Sequence, residues 1–263
     1  MSSADEPNHK SLCRLASCFE IFGANPPEIL DAGIAIAASR AGAKGLLNLS
    51  YVTNPVSAIS HVRRLKELGG TNCGLILSGR LGEAEKAVLE ELTEIDTILL
   101  TADAEAVLGE AVPLARAKAK SLGLIVTNLA GAKLADRFHF DFVVAKGHES
   151  GGWVGQETTF ILLQQILQWG ELPVCAWGGI GFNTAAACRA AGACGVVLDW
   201  QLSLLRESAL PAAMRQRISA MDGSETIVLN GPQRLGLRLY AQPGFTAREK
   251  LQVLADSEFA LEQ

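Results

Sequence analysis

The 263-residue chain carries 23 Lys and Arg residues against 28 Asp and Glu residues, and 49% of its residues are hydrophobic. This length suits a single α/β barrel. The net charge of −5, without a cluster of Lys or Arg, argues against a nucleic-acid-binding protein. No apolar run approaches the ~18 residues that a membrane-spanning helix needs.

The N-terminus and the cysteines indicate the compartment. Residues 1–10 are polar and acidic, which is not the pattern of a signal peptide. The six cysteines show no paired metal-ligand spacing, and Cys73, Cys175 and Cys194 fall in strand-like runs where a buried thiol is expected. We therefore predict a reduced, cytoplasmic protein without a metal site.

Strand-like and helix-like runs alternate along the chain, separated by turn-forming residues. The strand-like runs are 19–23, 45–49, 73–78, 97–101, 124–128, 140–145, 173–176 and 195–198. The helix-like runs are 31–41, 55–68, 81–93, 106–122, 130–138, 158–169, 183–191 and 201–221. Such alternation produces a parallel sheet with right-handed crossovers. Eight units in this length predict a closed (β/α)8 TIM barrel, with an open doubly wound sheet as the alternative.

The pattern divides the chain into three parts. Residues 1–17 form a polar N-terminal tail, and residues 18–221 form the barrel. Residues 222–263 form a C-terminal appendage, with strands at 226–229 and 237–241 in a short hairpin, followed by a polar helical tail. The appendage carries no evident chemistry, and we expect it to cap the barrel or to lead towards a neighbouring domain.

The chemistry of a barrel belongs to the loops that follow its strands. The longest and most glycine-rich of these loops, residues 145–160, follows the sixth predicted strand. The next richest, Gly178-Gly179-Ile180-Gly181, follows the seventh, where backbone amides of barrels often bind phosphate. Close packing at a strand end explains Gly178 and Gly179 nearly as well.

Two side chains of the long loop are candidates for catalysis. His148 can act as a general acid or base, with Glu149 setting its tautomer. The alternative is that His148 only forms a hydrogen bond within a tight loop. Lys146, at the end of the sixth strand, can bind an anion or pair with Glu149, and pairing is the favoured role.

Residues 126–128, 142–152, 173–180 and 190–197 resemble the nitronate monooxygenase family, which includes FMN-dependent enoyl-ACP reductases on the same barrel. Two motifs together carry the resemblance. One is Gly147-His148-Glu149-Ser150-Gly151-Gly152, and the other is Gly178-Gly179-Ile180. The chain is most similar to the monooxygenase-like domains at the front of large polyketide or fatty-acid synthases. The resemblance implies a small-molecule or acyl-carrier-bound substrate, and other synthase domains as partners.

The resemblance also implies FMN, with its phosphate on the amides around Gly178 and Gly179 and on the loop after the eighth strand. The cofactor-binding residues that it implies are Gly23, Lys146, Gly151, Gly152, Trp153, Gly178, Gly179, Asp199 and Trp200. Trp153 stands where the family has a catalytic histidine. It can stack on a flat ligand or fill the flavin space, and we expect Trp177 and Trp200 to join it at the barrel mouth as a pocket or a plug.

Asp199-Trp200 stands where the family has a Gly-Thr pair facing the phosphate. A carboxylate about 4 Å from one phosphate charge costs about 4 kcal/mol at an effective dielectric of about 20. The alternative role for Asp199 is to cap the helix predicted to begin at Gln201.

Two functions follow as hypotheses. The first is an FMN-type oxidoreductase that uses His148 as acid or base, and the second is an inactive barrel retained as a structural or docking domain of a megasynthase. A phosphate-binding isomerase or aldolase is weaker, because no lysine–carboxylate constellation stands out in the sequence.

Overall fold

A computed structural model describes residues 19–27, 29–102, 104–230 and 235–241, together with Lys250. Its strands, in chain order, are β1 (Glu20–Ala24), β2 (Lys44–Asn48), β3 (Cys73–Ser78), β4 (Ile95–Thr101), β5 (Ala119–Val126), β6 (Phe142–Lys146), β7 (Gly152–Val154), β8 (Val174–Trp177), β9 (Gly195–Leu198), β10 (Thr226–Asn230) and β11 (Gly236–Tyr240). Eight of them close into a parallel barrel in the order β1-β2-β3-β4-β5-β6-β8-β9. The predicted (β/α)8 barrel is confirmed.

The barrel interior is filled by side chains. Alternate residues of the strands point inwards and form one buried cluster of Phe22, Ala24, Leu46, Ile76, Leu99, Ile125, Phe142, Val144, Cys175, Trp177 and Val197. A second, larger cluster lies between the barrel and its helices. Because the interior is packed, a ligand must bind at the rim where the strands end.

The outer helices are α1 (Gly33–Arg40), α2 (Pro55–Leu68), α3 (Glu83–Glu91), α4 (Glu105–Arg116), α5 (Leu129–Arg137), α6 (Thr159–Trp169), α7 (Phe182–Ala190) and α8 (Ala212–Ser219). Local sequence explains how several begin. Asn54 caps α2 by accepting a hydrogen bond from the Ser57 amide, and Pro55 occupies the first helical position. Asn128 caps α5 in the same way through Gly131.

Two predicted helices are wrong in extent. The helix predicted at 106–122 ends at Arg116, because the following residues enter β5 and Ala119 pairs with Ile95 of β4. The helix predicted at 201–221 is a 3-10 helix at Trp200–Leu204 followed by α8, which starts only after Pro211. Proline disfavours helical backbone in the residue before it, which accounts for the break.

The predicted C-terminal hairpin is confirmed in its strands, since β10 and β11 pair antiparallel from Thr226↔Tyr240 to Asn230↔Gly236. Residues 231–234 of its turn, the tail at 1–17 and most of the C-terminal helical tail lie outside the described residues. The three-part division of the chain stays a prediction. The structure adds that β11 also pairs with β7, which the sequence analysis missed.

Membrane and metal features can be assessed only for the described residues. In that part of the chain no helix is both long and apolar enough to cross a bilayer. The same residues contain no group of His, Cys, Asp or Glu arranged to hold a metal ion. Cys73, Cys175, Cys188 and Cys194 are free thiols, and the first three are buried.

Candidate functional site

The loop between β6 and α6 is fixed to the end of β8. The Gly147 amide and the Ser150 hydroxyl both donate to the Trp177 carbonyl, at 2.8 and 3.0 Å. The Ser150 amide donates to the Gly147 carbonyl at 3.0 Å and closes a tight turn. Two of the glycine-rich loops singled out in the sequence are therefore joined at the barrel rim.

Glu149 is used to cap a helix. Its carboxylate accepts hydrogen bonds from the amide and the hydroxyl of Thr159, the first residue of α6, at 2.8 and 3.0 Å. A carboxylate at a helix N-terminus satisfies an unpaired amide and interacts favourably with the helix dipole. The prediction that Glu149 sets the tautomer of His148 is wrong, because the His148 Nδ1 contacts the Gly155 carbonyl. The pairing of Glu149 with Lys146 stays a prediction.

His148 is oriented by its own loop and by the C-terminal hairpin. Its Nδ1 lies 2.9 Å from the Gly155 carbonyl, which can only accept, so the neutral ring carries its proton on Nδ1 and leaves the Nε2 lone pair available. The His148 amide donates to the Glu157 carbonyl, and the His148 carbonyl accepts from Arg238 Nε at 2.9 Å. The ring is half-buried. It can accept a proton from a group at the rim.

Lys146, Trp177 and Asp199 form a polar cluster at the top of the barrel. The Trp177 indole donates to the Asp199 carboxylate at 2.8 Å, and the Lys146 ammonium lies 5.2 Å from the centroid of the Trp177 ring. Burial raises the pKa of the Asp199 carboxyl, while the Trp177 N–H, the Trp200 amide and the Lys146 charge act to lower it. The cluster brings together residues at the ends of β6, β8 and β9.

The three indoles differ in exposure and surroundings. Trp177 is 5% exposed and belongs to the barrel interior. Trp200 lies against the long loop, because a Cβ on Gly151 would sit 2.7 Å from its Nε1. Trp153 is 44% exposed on β7, one residue from the fully buried Val154, so it lies on the opposite face of that strand. The stacking of Trp153 on a flat ligand stays a prediction.

The glycines assigned to the cofactor pack against protein atoms. Gly178 has φ +122°, and a Cβ there would lie 2.6 Å from the hydroxyls of both Ser150 and Thr159. Gly23 packs against Ala38 in the same way, at 2.7 Å. Gly179 and Gly152 have φ of +60° and +74°, which favours glycine at these two positions.

Gln201 joins the loops that follow β8 and β9. Its side-chain oxygen accepts from the Asp199 amide at 3.1 Å, and its side-chain nitrogen donates to the Ile180 carbonyl at 2.9 Å. Asp199 itself makes no side-chain cap, so the alternative role of capping a helix is wrong. Nearby, the Gly181 amide donates to the Thr184 hydroxyl at 2.6 Å.

Sequence reasoning missed Gln201, Thr159 and Arg238. Thr159 carried a usable signal, since it begins a helix four residues after Gly155, the last glycine of a glycine-rich turn. Gln201 and Arg238 carried none, because the contacts that give them importance join residues 21 and 90 positions apart.

Comparisons with solved structures agree with the barrel. FabK from Thermotoga maritima has a TM-score of 0.77 at 21% identity, over 91% of this chain and 76% of that one. The nitroalkane oxidase of Streptomyces ansochromogenes has a TM-score of 0.68 at 20% identity, over 87% and 79%. The enoyl reductase domain of MlnA from Bacillus amyloliquefaciens has a TM-score of 0.63 at 13% identity, over 92% and 67%. At these identities the likeness concerns the fold.

Sequence comparison gives the family. A curated relative from Rhodococcus jostii (strain RHA1), (3aS,4S,5R,7aS)-5-hydroxy-7a-methyl-1-oxo-octahydro-1H-indene-4-carboxyl-CoA dehydrogenase, is 34% identical over 118 residues, which are 43% of this chain and 33% of the relative. The chain thus matches about a third of that protein's length. The family model for nitronate monooxygenase matches residues 90–234, more than half of the chain. The chain belongs to the nitronate monooxygenase family.

Proposed function

We propose that this chain is a nitronate monooxygenase-type barrel that does not hold FMN in the way its family does, and that it serves as a structural or docking domain of a polyketide or fatty-acid synthase. The observation that carries the proposal is the pair of hydrogen bonds by which the Gln201 side chain bridges Asp199 and Ile180. The side-chain amide of this residue occupies the gap between the loops after β8 and β9, where the resemblance puts the FMN phosphate.

Two backbone amides of these loops are engaged by this chain's own side chains. The Asp199 amide donates to Gln201, and the Gly181 amide donates to Thr184. The space beside two of the implied glycines is also used, since Ser150 and Thr159 pack on Gly178 while Trp200 packs on Gly151. These contacts do not fit a bound phosphate and flavin.

The negative charge of Asp199 at the barrel rim also disfavours a bound FMN phosphate. The Asp199 carboxylate is held in place by the Trp177 indole at 2.8 Å. A negative charge about 4 Å from a phosphate oxygen costs about 4 kcal/mol at an effective dielectric of about 20, or roughly a thousandfold in affinity. Lys146 interacts favourably with Asp199, and this interaction uses a cation that an anionic ligand would otherwise attract.

The synthase context rests on two kinds of support. The chain resembles the monooxygenase-like domains at the front of large synthases, and the enoyl reductase domain of MlnA, from a macrolactin biosynthesis cluster, has the same fold. The partners in this proposal are the other domains of such a synthase. A cytoplasmic location belongs to the same proposal.

The test is an absorbance scan of the purified chain between about 350 and 500 nm, followed by titration with FMN monitored by flavin fluorescence. We expect a colourless protein and no quenching. The variant Asp199→Gly/Trp200→Thr/Gln201→Ala removes the carboxylate and the bridge, and we expect it to gain measurable FMN binding. A yellow wild-type protein with one FMN per chain would overturn the proposal.

A second candidate is an FMN-dependent oxidoreductase acting on a small-molecule or acyl-carrier-bound substrate. The observation that favours it is the available Nε2 of His148 at the rim. The relative from Rhodococcus jostii, named as a dehydrogenase of a carboxyl-CoA compound, lends it a substrate class. Under this candidate, wild-type protein turns over an enoyl or acyl thioester with added FMN and reductant. His148→Ala abolishes the turnover, whereas the control His61→Ala on α2 leaves it unchanged.

A further inference from the structure

Cys175 and Cys194 bring two sulfur atoms into contact at the end of the barrel opposite the candidate site. Cys175 is the second residue of β8, and Cys194 directly precedes β9. Their Sγ atoms lie 3.4 Å apart, and both residues are free thiols. A disulfide bond is about 2.05 Å long, so an approach of about 1.4 Å separates this contact from a covalent link.

The backbone of the two strands suits such a link. Cys175 lies beside Gly195 in the register of β8 and β9, and the Cys194 amide donates to the Val174 carbonyl at 2.8 Å. With about 4.8 Å between strands and about 3.3 Å of rise per residue, the Cα atoms of the two cysteines lie about 6 Å apart, a common separation in disulfides. Gly195 leaves room for the bond, because a Cβ there would lie 3.1 Å from the Cys175 sulfur.

The two thiols differ in their access to solvent. Cys175 is 1% exposed, whereas Cys194 is partly exposed. The hydrogen bond with Cys194, burial and the nearby Glu20 charge raise the pKa of the Cys175 thiol well above its ordinary value, while Lys44 acts to lower it. The thiolate is the form of cysteine that reacts with an oxidant. The reaction therefore begins at Cys194, and Cys175 is placed to react second.

We propose that Cys175 and Cys194 are an oxidative modification site, which hydrogen peroxide converts into an intramolecular disulfide. The Cys194 thiolate attacks one peroxide oxygen, so that an S–O bond forms, the O–O bond breaks and hydroxide leaves to become water with the proton of that thiol. The Cys175 sulfur then attacks the Cys194 sulfur. The S–S bond forms, the S–O bond breaks, and the hydroxyl leaves as water with the Cys175 proton. The thiols lose two electrons and the peroxide gains them.

The disulfide closes residues 175–194 into one covalent loop. This loop contains the glycines after β8 and all of α7, a helix in which Cys188 alone is buried. A cross-link restricts the unfolded chain and so favours the folded state. Oxidation is therefore expected to stabilise a unit that its own packing holds weakly, and a dithiol reductant reverses the change by thiol–disulfide exchange. The proposal is independent of whether the barrel holds FMN.

The first test is oxidation of the purified full chain with hydrogen peroxide, followed by mass spectrometry of peptides made with trypsin and chymotrypsin. Cleavage after Trp177 and Arg189 puts Cys175, Cys188 and Cys194 on three different peptides. We expect the Cys175 and Cys194 peptides to be joined in the oxidised protein and separate after treatment with dithiothreitol. A link from Cys194 to any other cysteine, or no link at all, would overturn the proposal.

Three variants identify the reacting sulfurs. Cys194→Ser should abolish the link without unfolding the chain, because position 194 is partly exposed. Cys175→Ala should leave Cys194 as a sulfenic acid, which dimedone labels more strongly than in the wild type. The matched control Cys188→Ala removes another buried thiol of the same segment and should keep the link. A link that persists in Cys194→Ser, or that is lost in a Cys188→Ala protein with a native circular dichroism spectrum, contradicts the assignment.

The second test measures what the link does to stability. Urea denaturation is followed for the oxidised protein with and without dithiothreitol. We expect the midpoint of the wild type to lie at higher urea in its oxidised form, and we expect no difference between the two conditions for Cys194→Ser. An oxidised wild type with an equal or lower midpoint would show that the link does not stabilise this unit.

Discussion

The two sides of the barrel are built with different chemistry. Seven ion pairs lie between Glu20 and Asp141, in the side formed by β1–β5 and their helices. The other side, formed by β6, β8 and β9 with α6 and α7, contains the candidate site, whose loops are held by glycine contacts and buried hydroxyls. We call these the charged side and the site side.

The two sides also differ in the number of charged side chains on their surfaces. Residues 55–91 of the charged side carry nine exposed charged residues, Arg63, Arg64, Lys66, Glu67, Arg80, Glu83, Lys86, Glu90 and Glu91. Such a surface is suited to water. The site side combines the loops of the family with an exposed Phe182 and an alanine-rich helix. The surface that carries the family's signature is therefore the one with fewer charged side chains.

The largest expected effect comes from adding one methyl group to the site side. Gly178→Ala forces a Cβ to within 2.6 Å of the Ser150 and Thr159 hydroxyls and strains a backbone with φ +122°. We expect it to lower the free energy of unfolding by about 4 kcal/mol, measured by urea denaturation.

The matched control is Gly109→Ala in α4, on the charged side. A Cβ at Gly109 meets nothing within 4 Å. Alanine is the better helix former, so we expect this variant to gain about 0.5–1 kcal/mol. Equal effects of the two substitutions would show that the site side is not the more tightly packed of the two.

The next effect concerns the one buried carboxylate of the charged side, Glu85. Burial raises its pKa from 4.5 to about 7, although the Ser78 and Gly82 amides act to lower it. Between these two values the folded chain retains a proton that the unfolded chain releases. The free energy of unfolding therefore falls as pH rises from 4.5 to about 7, by up to about 3 kcal/mol in total.

Denaturation midpoints at about pH 5 and about pH 8 measure this loss. Glu85→Gln should flatten the pH dependence across that range. Glu83→Gln removes an exposed carboxylate from the same first turn of α3 and should leave the dependence as it is. An unchanged slope in Glu85→Gln would assign the pH dependence to other groups.

The smallest effect is expected from a surface ion pair of the charged side. Arg137 Nη2 lies 2.7 Å from Glu105 Oε1, and both side chains are more than half exposed. Pairs of this kind contribute at most about 1 kcal/mol, and salt screens them. Arg137→Ala should thus cost less than Gly178→Ala at low salt, and its effect should shrink in roughly 1 M NaCl. If Arg137→Ala lowered the free energy of unfolding as much as Gly178→Ala, the contrast between the charged side and the site side would be wrong.

The fold could be predicted because the sequence pattern that specifies it lies within short stretches of the chain. The alternation of apolar strands and amphipathic helices indicated the barrel, and the turn residues indicated the hairpin at β10 and β11. The ends of α4 and the 3-10 helix were not predictable in the same way, since pairing of Ala119 with Ile95 overrides the helical preference of the alanine-rich run before it.

The location of the candidate site could be predicted from the sequence, but the contacts made by its residues could not. The glycines pointed to the correct loops, but the same residues suit a phosphate cradle and tight packing equally well. The contacts that decide between them, such as Thr159 with Glu149 and Gln201 with Ile180, join separate loops. The orientation of Trp153 depended on a third strand pairing that no local pattern indicated.

The pairing of β7 with β11 has a consequence for the order of folding. Val154 meets Gly236, roughly eighty residues later in the chain, and Arg238 holds the His148 carbonyl. Closing so long a loop is entropically unfavourable until the barrel brings its ends together. During synthesis the barrel strands can therefore assemble while the long loop is still unsupported. The contact of Arg238 with the His148 carbonyl can form only once β11 has been synthesised.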